Sequence, residues 1–221
     1  MKSLMWFRND LRMDDNPALR EACKSSDEVH AIYIYSQNQN KKHNEANCKT
    51  EFFIENLKVL ESKLSNINIP LNIIYSEGFK DNSEVISNYV KNHSLNKVFW
   101  NNQFGIDESE RDESVQNYLK GKNIEFENFD EQVVFAPGTI LTGEGKPYSV
   151  FTPFKRRWIE NFNLDLLDIE FEYTKKNATK IKSNVNEFDF QFKKINQVDM
   201  SLWPAGEVEA LSRLKAYLDK N

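Results

Sequence analysis

Short apolar runs alternate with longer amphipathic segments along the first 129 residues of the chain. Four runs are rich in aliphatic and aromatic side chains at consecutive positions, as are strands that are buried on both faces of a parallel sheet. They cover residues 3–8, 29–36, 71–77 and 97–102. A fifth run, 124–129, follows the last amphipathic segment and predicts a fifth strand.

The segments between these runs have apolar residues at helical spacing. They cover 16–23, 48–64, 82–93 and 107–122, and the first opens with an Asn-Pro pair, a common helix start. Repeated strand–helix alternation predicts a doubly wound α/β fold with right-handed crossovers. We therefore expect a five-stranded, Rossmann-like parallel sheet with helices on both faces, and assign it to residues 1–132.

The rest of the chain has a different texture. Residues 133–162 combine Pro and Gly with apolar residues, which predicts an ordered loop and a short helix packing on the core domain. Residues 163–200 are polar without a sustained period and indicate an interdomain linker. We interpret residues 201–221 as the first helix of a further domain, because apolar residues form one helical stripe: Val208, Leu211, Leu214 and Leu218.

Composition indicates a folded protein, since 39% of the 221 residues are hydrophobic and 13% are aromatic. The formal net charge of −5 argues against a broad phosphate-binding face on this chain. Neither a membrane-spanning run nor a secretory signal is evident, so we expect a cytoplasmic protein without membrane contact. The two cysteines, Cys23 and Cys48, suggest ordinary reduced thiols.

Familiar catalytic and nucleotide-binding motifs are missing from the sequence. GxGxxG, GxSxG and HExxH do not occur, and the three histidines are scattered, so we predict no metal site. What remains is a set of polar loops after the first, second and fourth predicted strands. Each has two interpretations, local capping with solvated charge or a ligand site, since ligands of open α/β sheets bind beyond the carboxyl ends of strands.

Four motifs resemble the photolyase and cryptochrome family, in the family's order. They are WFRNDLRMDDNPAL, FWNNQFGIDESERD, PGTILTGEGKPYSVFTPFKRRW and WPAGEVEALSRLKAYL, and the resemblance extends over essentially all residues from Leu4 to Leu218. The resemblance implies that this is the family's amino-terminal α/β domain. That domain binds an antenna chromophore, methenyltetrahydrofolate or a deazaflavin, which passes excitation to FAD in a carboxyl-terminal helical domain.

For the whole protein, the resemblance implies light-driven repair of pyrimidine dimers in UV-damaged DNA, by electron transfer from FAD. Since the sequence reaches only the start of the helical domain, we expect this chain to have no catalytic residue of its own and no repair activity alone. We also expect a monomer. Two alternatives stay open: the same domain of a signalling cryptochrome, and a free-standing nucleotide-binding α/β module.

The resemblance also assigns candidate residues. His43, Asp107 and Glu108 correspond to positions of the folate-type antenna site, where Glu108 would bind the pterin ring. Asp107 departs from the pattern, which often has Asn there, and it could instead cap a helix. We expect Arg8, Asp10 and Arg12 to form structural ion pairs near the domain interface, and Trp6 and Phe7 to lie in the strand core.

Overall fold

The structure is a computed structural model that describes residues 1–164, 171–190 and 199–219. Its centre is one parallel sheet of five strands in the order β3-β2-β1-β4-β5. Their bounds are Lys2–Phe7 for β1, Glu28–Tyr35 for β2, Leu71–Tyr75 for β3, Lys97–Asn101 for β4 and Glu125–Phe129 for β5. The predicted fold class and all five predicted strands are confirmed.

Seven α-helices are present in the described ranges. They are α1 (Pro17–Ser25), α2 (Gln37–Lys42), α3 (Asn47–Ser65), α4 (Asn82–Asn92), α5 (Ile106–Gly121), α6 (Phe151–Asn161) and α7 (Glu207–Leu218). Only α2 has no counterpart among the predicted helices. Its sequence, QNQNKK, contains no apolar residue and therefore carries no helical hydrophobic period.

The sheet separates two apolar cores, and the alternation of β1 side chains shows this directly. Met5 and Phe7 point to the core that α1 and α3 cover, whereas Leu4 and Trp6 point to the core that α4 and α5 cover. All four are 0–1% exposed. Burial on both faces explains the unbroken apolar run in β1, and the assignment of Trp6 and Phe7 to the strand core is confirmed.

Part of the predicted linker is built into the domain. Asn184 runs beside the outer edge of β3, where its side chain accepts a hydrogen bond from Ile73 N (2.6 Å) and donates one to Ile73 O (3.0 Å). Val185 and Phe190 are 2% and 7% exposed and belong to the core beside α1 and α3. Residues 171–190 thus cover a sheet edge, which a composition-based linker prediction does not anticipate.

The two last helices differ from the others in burial. None of the residues of α6 or α7 is buried. The ring contacts of the segment 133–162 are internal: Phe135 meets Trp158 edge to face (5.4 Å between centroids), and Tyr148 meets Phe154 (6.1 Å). The division of the chain at residues 132, 162 and 200 stays a prediction.

A buried polar cluster joins β2, β3 and α4 on the face of the sheet that α4 and α5 cover. His30 is 1% exposed, and its ring contacts Glu28 through Nε2 (3.0 Å) and the Tyr89 hydroxyl through Nδ1 (3.3 Å). Tyr89 donates a hydrogen bond to Asn72 Oδ1 (2.8 Å), and His93 lies beside both rings. Burial lowers the pKa of His30, although Glu28 opposes that shift.

This cluster predicts a loss of stability in mild acid. Because the folded protein holds His30 neutral, the unfolded chain binds more protons as the pH falls below 6.5, the ordinary histidine pKa, and the free energy of unfolding falls with it. His30→Gln is expected to reduce this pH dependence in urea unfolding curves between about pH 7 and 5.

Tyr89→Phe is the matched control, since it removes a hydrogen bond of the same cluster without removing the histidine. We expect it to lower stability by a similar amount at every pH in this range. Equal pH dependence in wild type and His30→Gln would contradict the assignment to His30.

Candidate functional site

The strand order places a switch point at the centre of the sheet. From β1 the chain passes through α1 to β2, and α1 and α3 cover one face, whereas α4 and α5 cover the other. Loops at the carboxyl ends of β1 and β4 therefore diverge and leave a crevice between them. Open α/β sheets bind their ligands in this place.

A cavity of about 220 Å³ lies at this edge of the sheet. Aromatic rings from β2, α3, the loop after β3 and the segment 171–190 form much of its wall: Tyr33, Tyr35, Phe53, Phe79 and Phe190. Pockets for drug-sized ligands commonly measure about 300–1,000 Å³, so this space suits a flat ring system rather than a complete large cofactor. Burial raises the pKa of Tyr33, whose hydroxyl therefore remains a donor.

One wall of the cavity is cationic. The guanidinium groups of Arg8 and Arg111 lie over the ring of Trp6, 4.6 and 5.0 Å from its centroid. Both bind Asp112 Oδ1, Arg8 through Nη1 (3.1 Å) and Arg111 through Nη2 (2.7 Å), and Arg111 also donates to Gln103 Oε1 (2.9 Å). Because Arg8 and Arg111 share Asp112, these three groups together carry one net positive charge.

Among the described residues, two nitrogen atoms of the Arg8 guanidinium group lack a hydrogen-bond acceptor. Its side chain is 5% exposed, and its Nε and Nη2 atoms are buried without a hydrogen-bond partner in the described part of the chain. Burial lowers the pKa of Arg8 to about 10, so the group is still a cation at neutral pH. Buried donors without partners are costly, so Arg8 is held beside the cavity at some cost in stability.

The first turn of α5 carries two acids, of which only Glu108 lines the cavity. Glu108 lines the cavity and folds back over Gly105, where a Cβ atom would lie 2.0 Å from Glu108 Oε2. Asp107 points to α2 instead and binds Lys42 Nζ (2.7 Å), His43 Nε2 (3.0 Å) and Gln39 Nε2 (3.2 Å). The Lys42 hydrogen bond lowers the pKa of Asp107.

These contacts explain the unusual residue at position 107. The helix cap of α5 is Gly105, so the interpretation of Asp107 as a helix cap is wrong. An acceptor-only carboxylate suits the Lys42 and Gln39 donors of α2, whereas Asn would present an amide N–H₂ group beside them. Asp107 therefore fastens α2 beside the cavity, which leaves Glu108 as the acid that lines it.

The three candidate antenna residues come together in the structure. His43 lines the cavity beside Glu108, and Asp107 joins His43 from outside it. Their role as a binding site stays a prediction. Sequence reasoning missed Gln103 and Arg111, although both stand in the quoted fourth-strand motif, because a cation and an amide in a charged loop have no distinguishing period.

Asp10 organises the loop between β1 and α1. It is 5% exposed and accepts hydrogen bonds from Arg8 N (2.7 Å) and Asn101 Nδ2 (2.6 Å). Asn101 in turn donates to Asn16 Oδ1 (2.8 Å), the cap of α1, and accepts from Ala18 N (3.1 Å). One carboxylate thus joins the ends of β1 and β4 to the start of α1.

Arg12 lies at the outer side of the same loop and pairs with Glu131 and the Asp15 carbonyl. The three predicted ion-pair residues therefore have separate positions: Arg8 in the cavity wall, Asp10 in the loop and Arg12 at the surface. Their function at a domain interface stays a prediction.

Among the described side chains, no group of three or more His, Cys, Asp or Glu is arranged to hold a metal ion. None of the helices in the described ranges has the length and apolarity to cross a membrane.

Asp10→Asn is expected to destabilise the protein by about 1–3 kcal/mol, because the new amide N–H₂ would face one of two donors in a buried site. Urea unfolding measures this change. Asp14→Asn is the control, since Asp14 is an exposed acid of the same loop. Equal effects of the two substitutions would contradict the organising role of Asp10.

Comparison with known proteins gives a consistent result. The DNA photolyase family profile matches residues 3–208. A deoxyribodipyrimidine photo-lyase of Salmonella typhimurium is 35% identical over 164 residues, which cover 74% of this chain and 34% of that protein.

Two solved structures share the fold. A class III photolyase from Agrobacterium tumefaciens has a TM-score of 0.79 at 22% identity over 99% of this chain and 44% of its own. An archaeal photolyase from Sulfolobus tokodaii, solved with two FAD molecules, has a TM-score of 0.69 at 20% identity over 96% of this chain and 45% of its own. The chain thus spans between a third and a half of the length of these relatives.

Proposed function

The chain belongs to the DNA photolyase family, and from this premise we propose that its α/β domain binds a light-harvesting chromophore in the cavity at the carboxyl end of the sheet. The observation that carries the proposal is the combination of that position with a lining that offers aromatic rings, the cations Arg8 and Arg111 and the acid Glu108. When bound, the chromophore absorbs near-ultraviolet or blue light and supplies excitation energy to FAD.

The residues present fit the ring of such a chromophore. Pterin and flavin-like rings are flat and carry carbonyl or ring-nitrogen acceptors, which suit a wall that contains Arg8 and Arg111, and N–H groups, which suit the carboxylate of Glu108. Aromatic side chains such as Tyr33 and Phe53 provide stacking surfaces. His43 and Asp107 hold α2 at the mouth of the cavity.

Methenyltetrahydrofolate is the first candidate chromophore, because Glu108 and His43 stand where the folate-type motif has its ligands. A deazaflavin is the second. The Sulfolobus neighbour was solved with two FAD molecules and described as having a novel light-harvesting cofactor, so a flavin belongs in the same test.

For the whole protein we propose light-driven repair of UV-damaged DNA, with FAD bound by a helical domain that begins with α7 and packs against α6. Exposed apolar side chains on both helices support this partner: Phe151 and Ile159 are 71% and 57% exposed, and Leu211 and Leu218 are 59% and 62% exposed. The net charge of −5 supports DNA contacts outside this chain. The Salmonella relative is named a photo-lyase, which favours repair over cryptochrome signalling.

A parallel titration of the chain with methenyltetrahydrofolate, a deazaflavin and FAD, followed by absorbance and fluorescence polarisation, tests the proposal. Saturable binding of one compound is expected and identifies the chromophore class. Glu108→Gln is expected to weaken that binding about tenfold or more, since a charge-assisted hydrogen bond contributes about 1.5–3 kcal/mol.

Glu110→Gln is the matched control, because Glu110 is an exposed acid of the same helix. We expect it to leave the affinity unchanged. Failure of all three compounds to bind wild type would contradict the proposal, and equal affinities of wild type and Glu108→Gln would remove Glu108 from the site.

A further inference from the structure

Two of the sequence motifs, RNDLRMDDN after β1 and WPAGE before α7, meet in the structure. The Oε1 atom of Glu207 accepts hydrogen bonds from the backbone N–H groups of Asp14 (2.8 Å) and Met13 (3.1 Å). Its Oε2 atom accepts from Lys63 Nζ on α3 (2.6 Å). The carboxylate is 12% exposed, so most of the surrounding water is excluded.

Two partners of this carboxylate, the N–H groups of Met13 and Asp14, lie in a loop that has other hydrogen bonds of its own. Asp10 and Asn16 fix the loop that presents the two N–H groups, and Tyr173 donates a hydrogen bond to the carbonyl of Met13 (2.7 Å). A charge-assisted bond to preorganised donors loses little conformational entropy. Glu207 therefore binds a loop that hydrogen bonds of Asp10, Asn16 and Tyr173 also hold.

The residue before Glu207 makes the approach possible. Gly206 has φ of +101°, a value that disfavours other residues, and its N–H donates to Asn56 Oδ1 on α3 (2.9 Å). A Cβ atom at this position would lie 2.8 Å from Val59 Cγ1. The turn into α7 thus needs glycine for its conformation and for its contact with α3.

The residues of α7 beyond its first turn contribute little to holding the helix on the α/β domain. The helix has 12 residues, none of them buried, and its apolar stripe from Val208 to Leu218 is 53–68% exposed. Isolated helices shorter than about 12–15 residues are marginal in water. Contacts at the first turn must therefore provide most of the attachment to the α/β domain.

We propose that Glu207 is a positioning residue that fixes the orientation of α7 on the α/β domain. The loop that binds Glu207 also supplies Arg8 to the cavity wall, so one rigid segment sets both the cavity and the direction of α7. An effect of the α7 orientation on energy transfer from a bound chromophore to FAD would rest on the proposed function. The anchoring itself requires no bound chromophore.

Hydrogen–deuterium exchange of the 221-residue chain tests this proposal. Glu207→Ala is expected to accelerate exchange of the α7 amides about tenfold or more, a factor that corresponds to about 1.4 kcal/mol. The thermal unfolding midpoint and the exchange of β1 and β4 are expected to stay unchanged. A merely structural residue would alter those two quantities as well.

Two further variants complete the design. Glu209→Ala removes the other acid of the same first turn, and we expect it to leave α7 exchange close to wild type. Glu207→Gln keeps one acceptor oxygen for the loop but loses the charge. Its α7 amides are therefore expected to exchange at a rate between those of wild type and Glu207→Ala.

Equal exchange in Glu207→Ala and Glu209→Ala would overturn the proposal, and so would a lowered midpoint with faster exchange throughout the sheet. Failure of the chromophore titration would overturn the proposed function and leave the result on α7 intact, because exchange is measured without a ligand.

Discussion

The buried carboxylate of Asp10 is the interaction on which the rest of the site depends. Parallel strands that end side by side leave backbone donors and acceptors pointing away from the sheet, and a site can form there only if the loops are fixed. Asp10 binds the backbone at Arg8 and the amide of Asn101, and Asn101 reaches the cap of α1. The cavity wall on one side and the receptor for Glu207 on the other are both extensions of this loop.

Much of the fold could be predicted because its signals are local and periodic. The strands are apolar runs buried on both faces, and α1 carries its cap and Pro in the sequence. Helix α2 could not be predicted, since its position comes from contacts with Asp107 and not from an apolar face. The packing of residues 171–190 on the α/β domain could not be predicted either. Asn184 pairs with the backbone N–H and C=O of Ile73 at the edge of β3, but a polar residue such as Asn is also common in linkers.

The site was predictable only in part, for a related reason. The motif resemblance identified His43, Asp107 and Glu108. It did not show that Glu108 lines the cavity while Asp107 contacts α2, because this depends on the directions of two side chains in the first turn of α5. Glu108 folds inward over Gly105, and Asp107 reaches outward to α2. Arg111 lies one helical turn further along and points to the same wall as Arg8, a contact between residues more than 100 positions apart that no periodicity encodes.

The stacking of Arg8 and Arg111 on Trp6 has an electronic consequence. Removing an electron from the indole would leave a third positive charge beside two guanidinium groups that share a single carboxylate. Coulomb repulsion in a buried site makes that oxidation costly, so the ring is a poorer electron donor than tryptophan in water. Under the proposed function, a ring that is hard to oxidise would not quench, by giving up an electron, the fluorescence of a dye bound on the other side of Arg8 and Arg111.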